Sequence, residues 1–350
     1  MPRPLALLGS WDYAWYLGIA RSGYAVHPVD VTVRQSNIAF SPLLPWIMRV
    51  GIATSTNPFL WAFIASNLAF LGALTAFHQL SADRAGQAFA TRSTWILALA
   101  PAAVYASLAY TDGITLALAA GAALAATRGR WCLAGLAAAI ATLARPQGVF
   151  IGVLIVLIAV SATDVAPRLR VRNALIGGVP PVATYIGFLA WLQVTRGSWN
   201  LQTKAEQAWG RRSPGWASLE QLARQVRGVV TYPSAHRLGQ LVDASQSAGW
   251  LDHALDLTSA IVMFALIIAL WRLEGTWRSP WVIFSALVAM TSLTTGILDS
   301  EMRYGLLAFP LIWPVARWLG RASRPQLGVL MVLAFALLVP FVLLMRFGAP

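Results

Sequence analysis

The chain has 350 residues, of which 58% are hydrophobic and only 11% are charged, and its formal net charge is +13. Soluble domains carry about 25% charged residues, so this composition excludes an ordinary soluble fold and predicts an all-α, polytopic transmembrane protein. The positive charge comes almost entirely from arginines between apolar runs, which favours a membrane topology signal over nucleic-acid binding.

The stretch that begins at Trp11 is predicted to form an amphipathic helix at the membrane interface. Trp11, Trp15 and Ile19 repeat at helical spacing, and Tyr16 lies beside them. Asp12 does not share that face. It is a candidate general base or substrate anchor, because ionisable groups at membrane depth are usually functional. The alternative is that Asp12 only stabilises the helix start through the helix dipole.

Uncharged apolar runs further along the chain predict about ten spanning helices. The runs cover roughly 58–80, 93–111, 113–127, 131–145, 147–162, 174–194, 254–273, 279–298, 304–320 and 325–346. A span needs about 20 residues. The runs at 113–127 and 147–162 are therefore short, and we expect them to be half-helices or to include flanking residues.

The charges between these runs predict the topology. Every second connection carries arginines, which the positive-inside rule assigns to the cytoplasm. These arginines are Arg84, Arg92, Arg128, Arg130, Arg168, Arg170, Arg172, Arg272, Arg278, Arg317, Arg321 and Arg324. The predicted organisation is a first extracytoplasmic loop over 1–57, transmembrane helices over 58–194, an extracytoplasmic cap loop over 195–253 and further transmembrane helices over 254–350. The outer side would then carry Asp12, Asp112, Arg145, Asp299, Glu301 and Arg303 at span ends.

Two of these outer residues stand at predicted helix breaks. Arg145 precedes Pro146, which disfavours helix at the residue before it. A broken helix at membrane depth normally lines a cavity, where an arginine can hold a phosphate by paired hydrogen bonds. Alternatively, Arg145 snorkels at a span end. Asp112, which follows Tyr110 and Thr111, either contacts a polar substrate or caps a tight helical hairpin.

Two further arginines on the predicted outer side are candidates for binding an anionic group. Arg303 follows Asp299 and Glu301, and it either holds a phosphate or belongs to a solvated helix end. Arg211, in the cap loop, either binds an anionic head group or belongs to an ordinary basic loop.

No metal-binding motif stands out, because the histidines lack the pairwise spacing of metal ligands. We therefore predict no cofactor, with a divalent cation shared by a phosphate, Asp12 and Asp112 as the alternative. Cys132 is the only cysteine, which excludes an internal disulfide framework. Its apolar surroundings predict that it is buried.

Several short blocks follow one another in this order along the chain: Trp11–Tyr24, Phe40–Pro45, Ser107–Asp112, Arg145–Gly148, Gln207–Arg211, and Arg303–Tyr304 with Phe309–Pro310. Together they resemble the signature blocks of the PIG-V family, which includes the second mannosyltransferase of GPI-anchor synthesis and bacterial relatives. Members of that family carry a spanning helix before the first block. Only ten residues precede that block here, so we expect either that an upstream helix is missing from this sequence or that this member lacks the helix. Loss of one helix would leave a chain that begins outside the cytoplasm.

The resemblance implies a GT-C type fold and a site facing away from the cytoplasm, in a bacterial plasma membrane. It implies inverting transfer of mannose from a polyprenyl-phosphate-mannose donor to a lipid-linked or protein-linked acceptor, with Asp12 as general base. Arg145, Arg303 and Arg211 would stabilise the leaving phosphate. Asp112 would contact substrate, and Trp11 and Tyr16 would lie at the level of the lipid head groups.

Two other classes of function fit the same sequence features. A transporter or flippase of a lipid-linked sugar would also place polar residues on the outer face, and broken short spans are typical of transporters. A catalytically inactive membrane subunit, which only scaffolds a glycosylation complex, would carry the same blocks without performing transfer.

Overall fold

The computed structural model describes residues 12–25, 30–211, 215–235, 244–298, 301–320, 326, 328–329 and 332. Within these ranges every regular element is a helix, which confirms the predicted all-α class. In chain order the helices are α1 (Asp12–Ser22), α2 (Leu43–Ala53), α3 (Pro58–Ala85), α4 (Gln87–Leu99), α5 (Ala103–Ser107), α6 (Asp112–Thr127), α7 (Trp131–Ala144), α8 (Gly148–Ser161), α9 (Pro167–Arg196), α10 (Leu201–Ala205), α11 (Trp216–Ala235), α12 (Ala244–Glu274), α13 (Pro280–Thr295), α14 (Glu301–Leu307) and α15 (Ile312–Leu319). Single 3-10 turns occupy Asn37–Ala39, Glu206–Trp209 and Phe309–Leu311. Trp11, Asp299 and most of the predicted span 325–346 lie outside the described residues.

Three helices within the described ranges are long and apolar enough to cross a membrane: Pro58–Ala85, Pro167–Arg196 and His253–Glu274. At about 1.5 Å per residue, the 28 residues of α3 extend about 42 Å, more than the roughly 30 Å of a hydrocarbon core. Large apolar side chains on α3 and α9 point outward, such as Leu68, which is 65% exposed, and Val194, which is 85% exposed. An apolar outer surface of this kind indicates a lipid environment.

The remaining apolar helices are shorter. They are α2, α6, α7, α8 and α13, with 11 to 16 residues each. The 14 residues of α7 extend only about 21 Å, so this helix is shorter than a bilayer core. Two of the predicted short runs, 113–127 and 147–162, are therefore short helices in the structure rather than parts of longer spans.

Two predicted spans are not continuous helices. The run 93–111 is divided because α4 ends at Leu99, just before Pro101, and α5 is a separate short helix. Proline lacks the backbone N–H and disfavours helix at the preceding residue, and Ala100 is extended accordingly, with ψ 137°. The run 304–320 is divided in the same way by the 3-10 turn around Pro310. Hydropathy alone did not reveal either break.

Some predicted connections are in fact helical. Between α3 and α4 only Gly86 is non-helical, with a positive φ of 81°, so Arg84 and Arg92 belong to helices. The prediction that Cys132 is buried is wrong, because this residue is exposed in the first turn of α7. An apolar neighbourhood does not predict burial in a chain whose outer surface is itself apolar.

Helices α7 and α8 form a hairpin that packs closely on α9. A Cβ atom added to Gly135 would lie 2.7 Å from the carbonyl oxygen of Ile176, and one added to Gly152 would lie 2.6 Å from Cγ of Pro181. These distances are too short for a side chain, so glycine is required at both positions. The close packing fixes the hairpin, whose turn carries Arg145.

The arginine-bearing connections meet at one end of the bundle, which we call the arginine end. Arg128 bonds Asp83, and Arg84 pairs with Glu274 while its guanidinium lies 4.3 Å from the centre of the Trp313 ring. These contacts agree with the alternation of arginine-bearing connections along the chain. Helix α6 runs from the opposite end, which we call the site end, towards the arginine end.

The site end is recessed relative to α3. The Ser66 hydroxyl donates a hydrogen bond of 2.6 Å to the carbonyl oxygen of Tyr110, near the start of α6. Helix α3 begins eight residues earlier, at Pro58, so it extends about 12 Å beyond the level of this contact. The start of α6 therefore lies within the apolar bundle rather than at its outer rim.

Candidate functional site

Helix α1 begins at Asp12, close to the predicted start. It packs against α2 through Tyr16, Ile19 and Ala20, which are all buried. As the first helical residue, Asp12 is placed favourably in the helix dipole. Its carboxylate also has a distant partner, because Oδ2 accepts a hydrogen bond of 2.9 Å from Nη1 of Arg303. The helix dipole is thus not the only interaction of the Asp12 carboxylate.

Asp112 bridges two arginines that are far apart in sequence. Arg303 donates to it twice, from Nη2 to Oδ2 at 2.9 Å and from Nε to Oδ1 at 3.4 Å. Arg145 donates from Nη1 to Oδ1 at 2.5 Å. The side chains of Asp112 and Arg303 are only 2% and 6% exposed. Asp12, Asp112, Arg145 and Arg303 therefore form one network of two carboxylates and two guanidiniums, and its central pair, Asp112 and Arg303, is buried.

Aromatic rings surround the guanidiniums of this network. The Cζ atom of Arg303 lies 4.8 Å from the ring centre of Tyr110 and 5.3 Å from that of Tyr105. Arg145 lies 5.3 Å from the ring centre of Tyr304. Burying charges is costly, and both the ion pairs and these cation–π contacts offset that cost.

The predicted helix break at Arg145 is confirmed. Helix α7 ends at Ala144, and Arg145 is extended, with φ −154° and ψ 143°, because Pro146 follows. The next helix starts at Gly148, where an added Cβ would collide with the backbone of Thr142. This tight turn directs the Arg145 guanidinium towards the start of α6.

The segment that follows α9 brings a third arginine to the site. Arg211 bonds Glu206 through Nε at 3.2 Å, and its guanidinium lies 5.3 Å from the ring centre of Tyr304. The turn before it uses Gly210 in a left-handed conformation, with φ 82°. Arg145 and Arg211 thus contact the same tyrosine ring.

An aromatic cluster joins the cap segment to the first segment of the chain. Trp209 packs edge-on against Trp15 and Phe40, with ring centres 5.7 Å apart in each pair. Trp15 stacks on Phe40 at 5.9 Å, and Tyr16 packs edge-on against Phe40 at 5.2 Å. The face of α1 predicted to lie in the membrane interface thus includes Trp15, which packs on protein aromatic rings instead.

These elements enclose a cavity of about 310 Å³. Its lining combines charged, amide and aromatic side chains: Asp12, Tyr16, Ala39, Phe40, Ser41, Ala144, Arg145, Pro146, Gln147, Tyr185, Gln202, Thr203, Glu206, Trp209, Arg211, Thr291, Thr295, Ile297, Arg303 and Tyr304. Five of the predicted site residues, Asp12, Tyr16, Arg145, Arg211 and Arg303, are in this lining. Asp112 is not in this lining; it bonds Arg145 and Arg303, and together with them it lines a much smaller neighbouring cavity of about 10 Å³. Its predicted contact with substrate stays a prediction.

Sequence reasoning missed several polar residues of the lining, and three of them have side chains suited to binding a polar ligand. These three are Tyr185, Gln202 and Glu206. Tyr185 is a polar residue within the predicted apolar span 174–194, which was the one available signal. Glu206 has the features of a site residue: burial raises the pKa of its carboxyl, and the guanidiniums of Arg211 and Arg145 lower it in part.

The described histidine, cysteine, aspartate and glutamate side chains do not form an evident metal centre. Among the residues that the structure describes, no group of three or more histidine, cysteine, aspartate or glutamate side chains is placed to hold a metal ion. The predicted alternative was a divalent cation shared by a phosphate, Asp12 and Asp112. In the structure the guanidinium of Arg303 lies between these two carboxylates and bonds both of them.

Comparison with known proteins assigns no relative to this chain: no family model, no curated protein sequence and no solved structure matches it. The function must therefore be argued from the cavity itself.

Proposed function

We propose that this chain is a polytopic membrane glycosyltransferase of GT-C type, with about ten spans. It would transfer mannose from polyprenyl-phosphate-mannose to a lipid-linked or protein-linked acceptor on the extracytoplasmic face of the membrane, with inversion. One observation carries the proposal: blocks from five separate parts of the sequence meet around one cavity, at the end of an apolar bundle, with two carboxylates and three arginines in its lining.

The arginines support binding of the donor phosphate. Arg145, Arg211 and Arg303 line the same cavity, and guanidinium is the side chain best suited to paired hydrogen bonds with phosphate oxygens. When the sugar leaves, negative charge develops on the phosphate, and guanidiniums held in place beforehand stabilise that charge. Asp112 holds two of them, Arg145 and Arg303, in position.

Asp12 is the proposed general base. The acceptor hydroxyl oxygen attacks the anomeric carbon, the bond from that carbon to the phosphate oxygen breaks, and the electron pair leaves on the phosphate. The hydroxyl proton passes to the Asp12 carboxylate, a step that typically contributes about 10²–10⁴-fold to the rate. Phosphate binding at Arg303 competes with the 2.9 Å contact to Asp12 and so frees that carboxylate.

The recess of the site supports a lipid-linked substrate. The start of α6 lies about 12 Å below the beginning of α3, within a bundle whose outer surface is apolar. A polyprenyl tail would lie in the hydrocarbon region beside such a bundle, and its phosphate would reach the arginines at this depth.

The decisive experiment compares Asp12→Asn with wild type. Purified protein in lipid nanodiscs is given polyprenyl-phosphate-[¹⁴C]mannose and a membrane extract as the acceptor source, and products are identified by mass spectrometry. We expect Asp12→Asn to lose transfer at least about 100-fold while remaining folded and inserted, because the amide cannot accept the proton. Asp83→Asn, the same substitution at the arginine end, is the control and should keep full activity.

A near-normal turnover in the Asp12→Asn variant would show that Asp12 is not the base. Absence of covalent product with the wild-type protein, across acceptor extracts, would refute the proposed transfer and favour an inactive subunit.

One observation favours a second candidate, a flippase of a lipid-linked sugar. The short helices α7 and α8 meet at a broken turn that lines the cavity, an arrangement typical of transporter binding sites. The two functions differ in product. A transferase gives mannose in a new covalent bond, whereas a flippase moves labelled lipid between leaflets of proteoliposomes and leaves it chemically unchanged.

A further inference from the structure

The cavity has two chemically different sides. We define the arginine wall as Arg145 and Arg303, and the cap wall as Gln202, Glu206 and Trp209. All five side chains line the same cavity. The arginine wall presents positive charge, whereas the cap wall combines one carboxyl group with an amide and an indole. The Glu206 carboxyl is already bonded by Arg211. A ligand that satisfies both walls therefore needs an anionic group at the arginine wall and hydrogen-bonding groups for the amide and the indole at the cap wall.

Two polar atoms of the cap wall are buried without a hydrogen-bond partner among the described residues. They are Oε1 of Gln202 and Nε1 of Trp209. Gln202 is only 3% exposed, and its amide nitrogen donates to the carbonyl oxygen of Ala39 at 3.4 Å, which orients the side chain. Because nearly all buried polar groups in proteins are bonded, an unpaired acceptor and an unpaired donor on one cavity point to a ligand.

The chemistry of these two atoms selects the ligand. The oxygen of Gln202 only accepts a hydrogen bond, and the indole N–H of Trp209 only donates one. A ligand that serves both needs groups that donate and accept, and a row of hydroxyl groups does so. The rings of Trp209, Trp15 and Phe40 pack together and hold the indole in place.

The size of the cavity limits what can bind. Its volume of about 310 Å³ lies at the lower end of the roughly 300–1,000 Å³ of small-molecule sites. One hexose with its phosphate fits this space better than a longer oligosaccharide. With the phosphate at the arginine wall, the sugar attached to it is the part that reaches the cap wall.

We infer that the cap wall recognises the sugar of the donor, with Gln202 accepting from one hydroxyl group and Trp209 donating to another. This inference rests on the proposed function, since it takes a sugar phosphate as the ligand. It adds a specificity role for Gln202, which lies outside the sequence blocks, and for Trp209, which lies within the block Gln207–Arg211. Glu206 lies in the same wall, and Arg211 holds its carboxyl group.

The test measures binding without any acceptor. Protein in nanodiscs is titrated with two probes, a short polyprenyl phosphate and the same lipid carrying mannose. Wild type should bind the mannosylated lipid more tightly. Gln202→Met keeps the length of the side chain but removes both polar atoms of the amide, and Trp209→Phe keeps an aromatic ring but removes the indole N–H. Each should reduce the preference for the mannosylated lipid by about 3- to 10-fold and leave binding of the bare lipid phosphate unchanged.

Matched controls come from the arginine end and the lipid-facing surface. Gln79→Met removes an amide that bonds Arg128, and Trp95→Phe changes a ring that is 54% exposed. Both should retain the wild-type preference. Thermal unfolding midpoints identify a misfolded variant, and if Trp209→Phe is one, Gln202→Met decides the result.

Two results would overturn the inference. One is an equal loss of affinity for both lipids in Gln202→Met, and the other is an unchanged preference in that variant. A wild-type protein that discriminates between the lipids but never forms product would refute the transferase proposal and leave the sugar site standing. Product formation with an unchanged preference in the variants would remove only the sugar site.

Discussion

The two ends of the bundle carry the same kind of ion pair in different surroundings. At the arginine end, Arg128 and Asp83 approach to 2.9 Å with 41% and 51% of their side chains exposed. At the site end, Arg303 and Asp112 also approach to 2.9 Å, but only 6% and 2% are exposed. An exposed pair contributes little to stability, whereas a buried one must overcome the desolvation of both charges. A protein that keeps such a costly network at membrane depth has a use for the charges themselves.

The largest expected effect on stability comes from a substitution that breaks the buried network. Asp112→Asn leaves Arg145 and Arg303 with one carboxylate fewer, and removing one partner of a buried pair typically costs about 3–5 kcal/mol. Asp83→Asn at the arginine end should cost about 0–1 kcal/mol. Reversible unfolding in mixed micelles measures both values. Equal losses at the two ends would mean that burial does not distinguish them.

The next effect concerns the phosphate role of the arginine wall. Arg145→Ala removes charge-assisted hydrogen bonds, which contribute about 1.5–3 kcal/mol, so KM for the donor should rise roughly 10- to 100-fold. KM for the acceptor should change much less. Arg128→Ala, at the arginine end, should leave both constants near wild type. Equal increases in the two KM values would argue against a phosphate contact for Arg145.

The smallest effect is a dependence of stability on pH that originates at the site end. Burial, together with the neighbouring Asp256 carboxylate, raises the pKa of Glu301 from an ordinary value of 4.5 to about 8. The folded state therefore holds a proton that the unfolded state has lost, so stability falls as pH rises between these two values. Between about pH 6 and pH 7.5 the free energy of unfolding should decrease by about 1–2 kcal/mol.

The matched pair for this measurement is Glu301→Gln and Glu274→Gln. The first should flatten the decrease over that pH range, because the amide does not titrate. The second removes the partner of Arg84 at the arginine end and should lower stability while the decrease persists. A decrease of unchanged size in Glu301→Gln would assign the titration to another group.

Local rules predicted much of the fold and part of the site. The start of α1 near Asp12 follows from helical spacing, and the turn at Arg145 follows from the proline after it. The alternation of arginines predicted which connections meet at the arginine end. Each of these signals lies within a few residues of the feature it predicts.

The remaining features depend on contacts between distant parts of the chain. Hydropathy averages over a window, so it merged α4 with α5 across Pro101 and extended α14 across Pro310. Gln202 and Glu206 carry no distinguishing local pattern, and only their position in the lining of the same cavity as the arginines gives them a role. Nothing near Asp112 in the sequence shows that two guanidiniums bond it, so its ion pairs could not be predicted.

The network also has a consequence for biosynthesis. Asp112 meets its first partner, Arg145, only 33 residues later, but Asp12 must wait for Arg303, 291 residues further along the chain. At about 5–20 residues per second, a ribosome needs between about 15 seconds and a minute to make that stretch. During this interval Asp12 lacks the arginine that it bonds in the finished protein. The ion pair between Asp12 and Arg303 can therefore form only after nearly the whole protein has been synthesised.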